Sequence, residues 1–143
     1  MATTIRGIEH RLFEAVLGAD PTAIEEAVIA DDTVGESSLD RVAERLVELF
    51  AATKGDVLRV LGVSRTKVSR NPVMDHEILD RAGNALKLFA RVAAMVGSER
   101  AAVWLNTSNR QLSDRRPIDL LATHLGGARV EELVTSLEDG AYL

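Results

Sequence analysis

Cysteine is absent from the 143 residues, which removes disulfides, thiolate metal ligands and cysteine nucleophiles together. Aromatic residues make up only 3%, and no run of Val, Ile and Thr alternates with the period of two that a half-buried strand requires. The three prolines and ten glycines fall between periodic segments rather than inside them. No stretch approaches the ~18 consecutive apolar residues of a membrane span, and the opening MATTIRGIEHRLFEAV lacks the continuous apolar core of a signal peptide. What is present is ordinary globular composition, 46% hydrophobic and 27% charged. A chain of this length buries roughly 70% of the surface it exposes when unfolded, as one domain or two very small ones. The expectation is a cytoplasmic, all-α protein.

Negative charge dominates, but unevenly. Met1 to Ala52 carries 4 Lys/Arg and 11 Asp/Glu, a balance of −7; Thr53 to Val96 carries 8 and 4, giving +4; Gly97 to Leu143 carries 5 and 7, giving −2, and the three sum to the formal −5. A basic middle between acidic flanks suits a DNA-contacting module inside a protein-binding chain. A solvated charged face would give the same count.

Apolar spacing divides the chain into helices. Ile5, Ile8, Leu12, Val16 and Leu17 recur at helical intervals and stop at Gly18. Asp20-Pro21 predicts an N-cap with proline at the first helical position, continued by Ile24, Ala27 and Val28. The polar stretch Asp31 to Ser38 is the best linker candidate. A helix from Ser37 or Ser38 follows, with Leu39, Val42, Leu46, Leu49 and Phe50 on one stripe. Asn71-Pro72 breaks the chain. Asp75 opens the longest helix, with Ile78, Leu79, Ala82, Leu86, Phe89, Val92, Ala93 and Val96 inward and an end at Gly97. Ser98 is expected to cap a short helix through Trp104 and Leu105. After the irregular Asn106 to Arg116, Pro117 starts a short helix that Gly126-Gly127 terminates. Val130, Leu133, Val134 and Leu137 define a last amphipathic helix ending at Gly140.

The stretch GDVLRVLGVSRTKVSR, Gly55 to Arg70, has the internal logic of a helix-turn-helix. Val57, Leu58 and Leu61 line a first helix, Gly62 supplies a positive-φ turn, Val63 plugs the core, Ser64 caps the second helix and Val68 packs back. Ser64, Arg65, Thr66, Lys67, Ser69 and Arg70 then present donors suited to base edges and phosphates in a major groove. The competing reading is a helical hairpin without a DNA role. Leu58, at a crossing where such motifs usually have alanine, favours a wider crossing. Specific recognition by one short helix requires paired half-sites, hence a homodimer.

The run WLNTSNRQLSDRRPIDLLATHLGGARVEELVTSLEDGAYL, Trp104 to Leu143, resembles the toxin-binding domain of the Xre/MbcA/ParS antitoxin family. Its landmarks are Trp104-Leu105, Asn109-Arg110 with Leu112, Arg116-Pro117 with Asp119-Leu120-Leu121, and Gly140-x-Tyr142 near the end. Ser108 stands where the family commonly has proline. The resemblance extends upstream through LGVSRTKVSR and the long helix, about 90 residues in all; Met1 to roughly Leu39 has no counterpart. Three parts are expected: an acidic N-terminal helical extension over 1–38 that the resemblance does not cover, an Xre-like helix-turn-helix region with a long connecting helix over 39–96, and a C-terminal helical toxin-binding module over 97–143, to both of which it extends. The resemblance also implies a type II antitoxin that covers the NAD cleft of a RES-type toxin and represses their shared promoter. The alternative is a helix-turn-helix repressor without a toxin partner, whose C-terminal module only dimerises.

Asn109, Arg110, Arg115 and Arg116 lie in a polar segment suited to a partner surface, where arginine can engage a carboxylate bidentately. The competing role for Arg110 and Arg116 is to cap helix C-terminal carbonyls. Trp104 is expected as a core anchor. Tyr142 and Leu143 add apolar area at a chain end, and both docking on the chain's own core and insertion into the toxin stay open. His10, His76 and His124 lack metal-ligand spacing, serines lack a nucleophile elbow, and no phosphate-binding glycine loop occurs. No cofactor, metal, membrane, small-molecule substrate or catalytic activity is expected.

Overall fold

The computed structural model describes residues 4–64, 66–67 and 73–140, and among these it is all-α. The helices are α1 (Ile5–Leu17), α2 (Pro21–Ile29), α3 (Leu39–Phe50), α4 (Lys54–Leu61), α5 (His76–Val96), α6 (Ser98–Leu105), α7 (Pro117–Leu120) and α8 (His124–Glu138), with a 3₁₀ turn at Arg110–Leu112. None of the described helices is long and apolar enough to cross a membrane.

Side-chain caps set most helix starts. Thr4, Asp20, Ser38, Thr53, Asp75 and Thr123 each accept a hydrogen bond from a backbone N–H three residues on, which satisfies a donor the helix leaves orphaned. Asp20 to Ala23 measures 2.8 Å, with Pro21 at the first helical position as its sequence predicts.

The long helix α5 is the axis of the fold. Ile78, Leu79, Ala82, Gly83, Ala85, Leu86, Leu88, Phe89, Ala90, Val92 and Ala93 are all buried, wider coverage than one amphipathic stripe, as a helix with neighbours on several sides requires. It packs against α1, α2, α4, α6 and α8. Its small residues let those neighbours approach closely, and Gly83 faces Phe13 and Ile24. Phe89 meets Phe50 of α3 at a ring separation of 5.2 Å. A single hydrophobic cluster runs from Ile8 to Val134.

Segment 31–38 is tied down. The Glu36 N–H donates to the Leu17 carbonyl at 2.7 Å, and Met74 N–H donates to the Ser37 carbonyl at 2.9 Å. Arg45 joins the Val16 carbonyl to the Glu36 carboxylate, both at 3.1 Å.

Three local expectations are corrected. Val96 is not inward but 42% exposed, because the core contact of α5 ends at Ala93 and the helix runs on one turn further. Ser98 is the first residue of α6 and not its cap; Gly97 takes that place with φ 89° and no side-chain bond, since a single residue separates two helices and its N–H still serves the Ala93 carbonyl. Gly126-Gly127 does not terminate a helix but lies in the first turns of α8. The reason is proximity: a Cβ on Gly126 would sit 2.2 Å from the Leu120 carbonyl oxygen, so glycine here lets α7 abut α8. Trp104 is half-buried against the core.

Candidate binding surfaces

Two surfaces are anticipated from sequence, and the first adjoins α4. At the C-terminus of α4 Gly62 adopts φ 70°, closing the helix with its N–H on the Arg59 carbonyl at 3.0 Å. That conformation is strained for residues with a Cβ. A Cβ there would also press within 2.9 Å of the Arg81 guanidinium, which reaches under the turn to the Val60 carbonyl at 2.9 Å and to the Ala122 carbonyl. Val57, Leu58, Leu61 and Val63 are buried as their spacing predicts. Ser64 accepts from the Lys67 N–H at 3.1 Å, so it caps the following turn, where Thr66 and Lys67 are helical and exposed. Lys67 Nζ lies 3.4 Å from Asp75. Burial pushes the Asp75 carboxyl up, but the Ile78 N–H and the Lys67 charge outweigh it and hold it below the usual range. Arg65, Val68, Ser69, Arg70 and the Asn71-Pro72 break lie outside the described residues.

The second surface is the loop between α6 and α7. The Asn109 N–H donates to the Arg115 carbonyl at 3.0 Å, and the Asp114 N–H donates to the Asn109 carbonyl at 3.0 Å. Asn109 Oδ1 accepts from the Gln111 N–H at 2.8 Å. Ser113 and Asp114 sit at φ 57° and 61°, a conformation that persists only where surroundings impose it. Leu112 pins the loop into the core. The result is a closed, preformed turn on which Arg110 and Arg115 are exposed, with no side-chain hydrogen bond or ion pair to other described residues. The preformed backbone has little freedom to lose when an anionic partner arrives, and the ordering cost falls on the two arginine side chains.

Arg116 sits differently. Its guanidinium forks onto Asp119 of α7 at 2.7 and 2.9 Å, and onto Asp56 of α4 at 3.2 and 3.4 Å. Arg59 closes the cluster against Asp56 and lies 3.8 Å from Asp119. Asp56 is the one buried charged residue among those described. Burial pushes its carboxyl up, yet hydrogen bonds from Arg116 and Thr53, with the charges of Arg116 and Arg59, bring it below the ordinary value. The hydrogen bonds of Asp119 and Asp56 raise Arg116 still further above its already high value. Thus Arg116 serves carboxylates rather than the helix carbonyls considered as an alternative; Arg81 is the residue that takes that second role.

Asn106 anchors the other end of the loop, donating to the Phe50 carbonyl at 2.7 Å and the Ala102 carbonyl at 2.9 Å. Arg91 secures α8, bonded to Glu138 and to Thr135 at 2.9 Å, and its pairing with Glu138 raises its pKa. The histidines stand apart, His10 3.8 Å from Glu14 and His76 3.5 Å from Asp31. Tyr142 and Leu143 lie outside the described residues. Of the residues that build this surface, Asp119 had a readable signal, three positions after Arg116 on a helix. Asp56, Asn106 and Arg81 had none, because their partners are remote in sequence.

Residues 91–140 match the family model of the antitoxin Xre/MbcA/ParS C-terminal toxin-binding domain. The span covers the loop, α6 to α8 and the final turns of α5, and it confirms the resemblance drawn from Trp104-Leu105, Asn109-Arg110 and Arg116-Pro117. The match begins inside the axial helix, at Arg91, which pairs with α8. No curated protein matches the chain. The domain supports an antitoxin role and a toxin as partner.

Proposed function

We propose that the chain is the antitoxin of a type II toxin–antitoxin pair. It neutralises a RES-type, NAD-consuming toxin by occluding the active-site cleft, and it represses the shared promoter as a homodimer through the Gly55–Arg70 helix-turn-helix. The observation that carries this reading is the toxin-binding domain at residues 91–140, displaying Arg110 and Arg115 on a prebuilt loop. Asn109 shapes that loop, Arg115 and Arg110 meet acidic groups of the toxin, Arg116 borders them, and Tyr142 and Leu143 add apolar contact. Ser64, Arg65, Thr66, Lys67, Ser69 and Arg70 face operator DNA. The mechanism is steric and takes place in the cytoplasm; the chain contributes no catalytic step, metal or cofactor.

The test is co-expression in the native host. The neighbouring gene expressed alone should arrest growth, and the chain supplied from a second promoter should restore it. Arrest that persists despite soluble antitoxin contradicts the reading and favours a repressor without a toxin partner.

A further inference from the structure

Arg116 is poorly placed to be a free cation. Of the five N–H groups of a guanidinium, four face Asp56 and Asp119, and the cluster of Arg59, Arg116, Asp56 and Asp119 is neutral in sum. Its geometry nevertheless bears on the loop. Arg116 directly follows Arg115, whose carbonyl closes the turn on Asn109, and it precedes Pro117, whose ring fixes the entry into α7. The far side of the clamp is a buried carboxylate on α4, outside the matched residues. A fork onto two carboxylates fixes direction as well as distance.

We propose that Asp56 is a positioning residue of the toxin-binding domain: through Arg116 it holds the Asn109–Arg115 loop in the orientation that turns Arg110 and Arg115 toward the toxin. The domain then does not build its own binding surface; the first helix of the helix-turn-helix region completes it. This rests on the antitoxin reading above.

The experiment measures the affinity of the full chain for the purified toxin encoded beside it, by calorimetric titration. Asp56→Asn should weaken binding about tenfold, with Arg116→Ala comparable. The double variant should bind no more weakly than Arg116→Ala alone, because both changes dismantle one device. Arg116→Lys should behave like Arg116→Ala, since an ammonium cannot fork onto two carboxylates. Asp119→Asn, at the more exposed end of the clamp, should weaken binding about threefold and decides the matter with Arg116→Lys if Asp56→Asn fails to fold. Unchanged affinity in Asp56→Asn or Asp119→Asn, additive losses in the double variant, or rescue by lysine would each overturn the proposal. An unsubstituted chain that binds no toxin would instead remove the antitoxin reading itself.

Discussion

Asp56 carries an energetic consequence that can be measured without any partner. Truncating one member of a buried ion pair costs about 3–5 kcal/mol when the other is left uncompensated. Arg116 keeps Asp119 and is partly solvated, so Asp56→Ala should cost less, about 2 kcal/mol, or a fall of roughly 6–8 °C in melting temperature for a chain of this size. The carboxyl is held below its ordinary value by Arg116 and Thr53 against the opposing effect of burial. Folded Asp56 thus binds fewer protons than unfolded Asp56, and its contribution is fully present above the unfolded value near pH 4. It is lost as pH falls through the lower folded value. Acid melting curves should fall more gently with pH in Asp56→Asn than in the unsubstituted protein. They should not become flat, because Asp75 and Glu36 are lowered as well.

Most helix positions and caps were legible where the signal was local, Ser98 being an exception. Asp20-Pro21, Ser38, Asp75 and Gly62 each announce a boundary through a neighbour within four residues, and the stripes Leu39–Phe50 and Ile78–Ala93 fall inward as spaced. Gly126-Gly127 was not legible, because its meaning depends on the Leu120 carbonyl above it and not on its own φ. The two glycines give opposite predictions. Gly126→Ala drives a Cβ against backbone and should destabilise the protein, with α8 the first element to lose hydrogen-exchange protection. Gly127→Ala meets nothing within 4 Å and should stabilise by about 0.5–1 kcal/mol through helix propensity. The loop's exposed arginines were readable from composition and polarity. Its clamp was not, since Asp56 and Arg116 are 60 residues apart and only the fold brings them together.

Taken whole, the molecule is a set of helices gathered on α5 around one continuous cluster from Ile8 to Val134. Polar ties join distant elements of it: Arg45 to the α1 end, Asn106 to the α3 end, Arg81 beneath α4 and α7, Arg91 on α8. Such cross-linking predicts a single cooperative unfolding transition, with calorimetric and van't Hoff enthalpies equal. Two resolved transitions would show that the matched residues 91–140 melt apart from the remainder. The proposed neutralisation is tested most sharply by following NAD consumption by the purified product of the neighbouring gene, titrated with the full chain. Activity should fall linearly to zero near stoichiometric equivalence, with the inhibited complex recovered intact by gel filtration; undiminished NAD loss in the presence of excess folded chain would rule out neutralisation by this route.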